Sequence, residues 1–134
     1  MILDMAEAKR HKGWLRDLVN FALDQDVNVV IEEQQSILRS DPRSAKAHFD
    51  LGVLHYSQRR VAKAIESFEA AIECDPAYAC AYRKLGEALI NQGEYERAGQ
   101  CALKAAEYGD RALVEMFERY PTFKKFVGQS ESST

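Results

Sequence analysis

Cysteine is scarce and carries no pairing pattern: Cys74, Cys80 and Cys101 are an odd number without Cys-x-x-Cys spacing. That argues against a disulfide framework or a zinc motif and suits reduced thiols in a reducing compartment. Long apolar runs are missing as well, since no stretch approaches the roughly 18 residues of a membrane span. The opening stretch MILDMAEAKRHKG places Asp4 and Glu7 where a secretory leader needs an apolar core. A cytoplasmic protein with no membrane partner is expected. Positive charge is not in excess, because 18 Lys and Arg against 21 Asp and Glu leave a net charge of −3. A general nucleic-acid binder would have a basic footprint, so no nucleic-acid partner is expected. The sequence also lacks a Gly-rich phosphate loop, a GxSxG elbow, an HExxH pair and an EF-hand loop. No catalytic residue, cofactor or metal is expected from these absences, and the chain is not read as an enzyme.

What is present is an ordinary globular composition, 46% hydrophobic and 29% charged, with an internal repeat inside it. The segments SDPRSAKAHFDLG and CDPAYACAYRKLG align without a gap. Asp41-Pro42 recurs 34 residues later as Asp75-Pro76, Ala45 and Ala47 as Ala79 and Ala81, and Leu51-Gly52 as Leu85-Gly86. Ala64 and Ala71 recur as Ala98 and Ala105 at the same offset. Each unit reads as two helices, over 44–57 and 60–73, then over 78–91 and 94–107. In the helix over 60–73, Val61, Ala64, Ile65, Phe68, Ala71 and Ile72 make one apolar stripe. Glu66, Glu69 and Glu73 are left for the wet face.

This period and content resemble the tetratricopeptide repeat family, whose signature is W-x2-L-G-x2-Y, then A-x3-F, then P. One unit has His48-x2-Leu51-Gly52-x2-His55, Ala64-x3-Phe68 and Pro76; the next has Tyr82-x2-Leu85-Gly86-x2-Leu89 and Ala98-x3-Ala102, with Asp110 at the proline position. Counting back 34 from His48 reaches Trp14, with Phe21 in the tyrosine slot and Asp17-Leu18 in place of Leu-Gly. A degenerate first repeat is expected there, its second helix bearing Val27, Val30, Ile31, Gln34, Ile37 and Leu38.

The expected fold is an all-α, right-handed solenoid of stacked antiparallel helix pairs, with about six repeat helices plus a C-terminal capping helix. One domain is expected over 1–127, with repeats at 11–44, 45–78 and 79–112 and a cap at 113–127. Pro121 is expected to end the cap's helix, and 128–134 to form a disordered tail.

The two histidines fall on the aromatic slots of the repeat, so a packing role is expected. Residues seven apart on a helix are also separated by roughly 10 Å along its axis, too far for both imidazoles to bind one zinc. An enzyme using His48, Asp50 and His55, or a thiol at Cys80, is the weaker alternative.

By the register of the family, a concave groove would be lined by Lys12, Leu15, Arg16 and Val19 of the first repeat. Lys46, Phe49, Asp50, Val53 and Tyr56 would follow from the second, and Arg83, Lys84, Glu87, Ile90 and Asn91 from the third. The resemblance implies a protein or peptide partner in this groove, which would be apolar and net basic and would suit acidic flanks. At the positions of the family's chaperone-tail clamp stand Leu15, Val19, Asp50, Cys80 and Lys84. Only Lys84 is basic there, which disfavours that ligand. A second expectation is a homo-oligomer through Phe117, Tyr120, Phe123 and Phe126, with the C-terminal segment able to fill its own groove; a secretion-type chaperone is a further alternative.

Overall fold

The computed structural model describes residues 14–128; before Asp26 it describes only the side chain of Val19. Among the described residues there are seven helices and no strand. They are α1 (Trp14–Ser40), α2 (Ala45–Ser57), α3 (Val61–Cys74), α4 (Ala79–Asn91), α5 (Tyr95–Glu107), α6 (Ala112–Arg119) and α7 (Pro121–Gly128). The chain divides into two compact units, Met1–Glu33 and Gln34–Thr134, where the sequence suggests one domain over 1–127.

In the second unit, α2–α3 and α4–α5 are antiparallel pairs built by repeated local devices. Asp41 and Asp75 each accept a backbone N–H two residues on, from Arg43 and Ala77, through Oδ1 at 3.2 Å. These bonds hold the Asp-Pro turns before α2 and α4. The ring at the aromatic slot then ties each helix to its turn. His48 Nε2 donates to the Pro42 carbonyl at 3.0 Å, and Tyr82 Oη donates to that of Pro76 at 2.8 Å. Both helices end alike: the N–H of Arg60 reaches the His55 carbonyl and that of Glu94 the Leu89 carbonyl, each at 2.9 Å. Such an ending needs a left-handed residue just past the helix. Gly93 takes it at φ 79°, and Arg59 takes it at φ 61° against its own Cβ.

The stripe of α3 meets the core as expected, with Ala64, Phe68 and Ala71 buried. Phe68 lies against Gly52, where a Cβ would stand 2.5 Å from the ring. The core continues through Leu85, Leu89, Ala98, Ala102, Leu113, Val114, Phe117 and Val127.

Two expectations are corrected. The helix pair of a first repeat at 11–44 is replaced by the unbroken α1. Gln25 stands where Arg59 and Gly93 turn the chain, and neither glycine nor proline interrupts 14–40. Of the stripe expected on its second half, Ile31 is buried, but Val30 and Ile37 are 38% and 46% exposed. The disordered tail expected over 128–134 does not begin at Gly128, which ends the helix α7, and 129–134 lie outside the described residues. Tyr120 is extended, as a residue before proline prefers, and proline suits the first position of a helix. So Pro121 ends α6 and starts α7.

Candidate functional site

Helices α2 and α4 lie side by side, linked by Phe49 against the Tyr78 ring at a centroid distance of 5.1 Å. On α2, Lys46, Phe49, Asp50 and Val53 keep i, i+3, i+4, i+7 spacing and share one face. On α4, Arg83, Lys84, Glu87, Ile90 and Asn91 follow the same rule with one-residue offsets. Lys46, Val53 and Asn91 are exposed, whereas Phe49, Asp50, Tyr56, Arg83, Lys84, Glu87 and Ile90 are half-buried.

The apolar part of this face is narrower than the sequence suggests. Phe49 packs on Phe68 at 5.8 Å as well as on Tyr78, so it belongs to the junction between repeats. Tyr56 and Ile90 rest partly on the core, and Val53, 37% exposed, is the apolar residue most open to a partner.

The charges on the described part of this face are paired with one another. Among the described residues the face is balanced. Lys46 Nζ donates to Asp50 Oδ2 at 2.9 Å and Lys84 Nζ to Glu87 Oε2 at 3.2 Å. Arg83 donates from Nε to Asp110 Oδ2 at 2.7 Å and from Nη1 to Glu87 Oε1 at 3.4 Å. Three cations meet three carboxylates, the third arriving on the turn between α5 and α6. Burial works against the Arg83 charge, but the bond and charge of Asp110 outweigh it and raise its pKa. The net-basic expectation also counted Lys12 and Arg16. Lys12 and the side chains of Leu15 and Arg16 lie outside what the structure describes; Val19 is exposed on α1.

Both histidines occupy structural places. His48 is committed to the Pro42 carbonyl, and His55 is buried between its helix and α3 with Nδ1 unpartnered. Burial lowers the His55 pKa, and Lys63 and Arg60 lower it further. Burial also pushes the Cys101 thiol up to about 11, far from thiolate chemistry at neutral pH. Among the described residues, no group of three or more His, Cys, Asp or Glu could hold a metal ion, and no helix is long and apolar enough to cross a membrane.

The aromatic residues assigned to an oligomer contact are largely used inside the molecule. Phe117 is buried, and Phe123 and Phe126 pack on Tyr95 of α5 at 5.0 and 5.9 Å. Tyr120 remains 51% exposed. Their segment lies on α5 and α6, with the Phe126 backbone seated on Gly99, and not on the α2–α4 face. Sequence reasoning missed Gly99 and the reach of Asp110. The signal for the second was a carboxylate standing where the signature has proline.

Family models described as tetratricopeptide repeats match residues 35–79 and 67–100. Small glutamine-rich tetratricopeptide repeat-containing protein 2 of Saccharomyces cerevisiae is 30% identical over 129 residues, covering 95% of this chain and 37% of that protein. The peroxisomal targeting signal receptor of Pichia angusta is 44% identical over 48 residues, 36% of this chain and 8% of the receptor. The chain thus spans little more than a third of the first curated relative and far less of the second. Among solved structures, MamA superposes with a TM-score of 0.61 at 28% identity, over 75% of this chain and 56% of that one. The Yersinia enterocolitica type III secretion translocator chaperone SycD superposes with a TM-score of 0.56 at 19% identity, over 92% and 82%.

Proposed function

Because the chain belongs to the tetratricopeptide repeat family, carrying its repeats across residues 35–100, we propose that it is a non-catalytic interaction module holding a segment of a partner protein on the α2–α4 face. The observation that carries this reading is the exposed Val53 amid polar groups already paired with one another. A partner covering that side chain gains apolar burial without stranding a charge. The Pichia angusta relative is by name a receptor for a targeting signal, which supports a recognition role for such repeats. The likeness to SycD is one of fold and adds no chaperone activity.

Val53→Glu tests the reading. The side chain is open to solvent, so helicity and melting temperature should stay near wild type, while affinity for a peptide selected on the wild-type protein should fall at least about tenfold. Unchanged affinity would remove the face as the binding site.

Self-association is the second reading, and its support has moved from the C-terminal aromatics to α1. Val29 and Val30 are exposed on that helix, and a second copy covering them would bury that surface. Light scattering behind a sizing column distinguishes a dimer from a strict monomer.

A further inference from the structure

The three ion pairs of the α2–α4 face differ in origin. Lys46 with Asp50 and Lys84 with Glu87 are neighbours within one helix, at i,i+4 and i,i+3. Arg83 would be a surplus cation, because Glu87 is already shared with Lys84. Asp110 removes that surplus from 27 residues away. Its carboxylate is fixed at both oxygens: Oδ1 accepts the N–H of Ala112 at 3.2 Å, and Oδ2 accepts Arg83 Nε at 2.7 Å. The pair is also the more sheltered one, its side chains 29% and 20% exposed, whereas Lys46 lies largely in solvent. Asp41 and Asp75 make the same bond to the backbone two residues on. Among the described residues, neither carries an ion pair.

We infer that Asp110 sets the partner specificity of this face: by neutralising Arg83 it selects an uncharged peptide segment with apolar anchors and turns acidic segments away. This rests on the function proposed above. An acidic segment must compete with a fixed carboxylate for Arg83 while lying near Asp50 and Glu87. A like charge brought against a paired carboxylate costs affinity and supplies discrimination. A basic segment meets the same obstacle from Lys46 and Lys84. An uncharged segment covers Val53 and the half-buried Tyr56 and Ile90 without disturbing any pair.

The test is selection of a randomised peptide display library on the wild-type protein and on Asp110→Asn. The asparagine oxygen can still accept the Ala112 N–H, so the start of α6 is kept while the charge on Arg83 is released. On wild type the enriched peptides should be near neutral, and their affinity should change less than about twofold between about 0.05 and 0.5 M salt. On Asp110→Asn, acidic sequences should gain about tenfold in enrichment, and adding Arg83→Gln should cancel the gain. Val53→Glu locates the peptides. Acidic peptides enriched on wild type and lost on Val53→Glu would overturn the role of Asp110 while leaving the face in place. So would an unchanged preference on Asp110→Asn. Peptides unaffected by Val53→Glu, or no enrichment at all, would overturn the face itself and the inference with it. Should Asp110→Asn fail to fold, Arg83→Gln alone decides: acidic sequences should stay excluded, and their appearance contradicts the inference.

Discussion

His55 stands where the next repeat has the fully buried Leu89, and the exchange has a cost that depends on pH. Its pKa in the fold lies below the ordinary 6.5, first because the ring is buried and then because Lys63 and Arg60 are near. Above about pH 6.5 neither the folded nor the unfolded chain is protonated at this ring, and its packing contributes in full. As the pH falls below that value the unfolded chain takes up the proton first, so stability declines until the folded-state pKa is reached. Urea unfolding of wild type and His55→Leu should therefore show a stability difference that widens in favour of His55→Leu as the pH falls from about 7 to 5. Parallel pH profiles would contradict this placement of the ring. The sequence revealed the slot, because the 34-residue register marks it. The unpartnered Nδ1 and the nearby cations depend on how α3 packs, which a repeat alignment does not contain.

At the scale of elements, short-range chemistry was readable and long-range choices were not. The Asp-Pro turns, the apolar stripe of α3 and the core alanines follow from spacing within a few residues, and the structure places them as the register requires. The two exceptions are instructive. Trp14 and Phe21 sit in register with the aromatic slots, yet α1 is unbroken, because register alone does not break a helix. A turn residue must take a left-handed conformation, as Gly93 does and as Arg59 is made to do at a cost of about 1–2 kcal/mol. Pro121 was readable as a stop but not as a start, since its restart depends on α5 offering α7 a seat. That seat is Gly99, where a Cβ would stand against the backbone of Phe126. Gly99→Val should push α7 off α5, with a loss of about 1–3 kcal/mol in unfolding free energy and faster amide exchange over Pro121–Gly128 than in wild type. Unchanged exchange in α7 would show that this contact does not hold the cap.

On the scale of the whole molecule, the second unit is an array of two helix pairs closed by α6 and α7, and the face of α2 and α4 is the surface proposed to bind. Lys46, Asp50, Val53, Arg83 and Glu87 were legible as residues of that face from the family register alone. Its electrostatic balance was not, because Asp110 comes from the turn after the array's last pair and meets Arg83 only once α4, α5 and α6 have packed. Nor was the covering of Phe49, which needs Tyr78 and Phe68 in place. The described part of this face is thus sparsely apolar, with its three cations each paired to a carboxylate. The most direct test is amide chemical-shift mapping by NMR, titrating the labelled full chain with a peptide selected on it. Perturbations should concentrate at Lys46, Asp50 and Val53 of α2 and at Arg83 and Glu87 of α4; perturbations confined to α1, α3, α5 or α7 would contradict binding on the α2–α4 face.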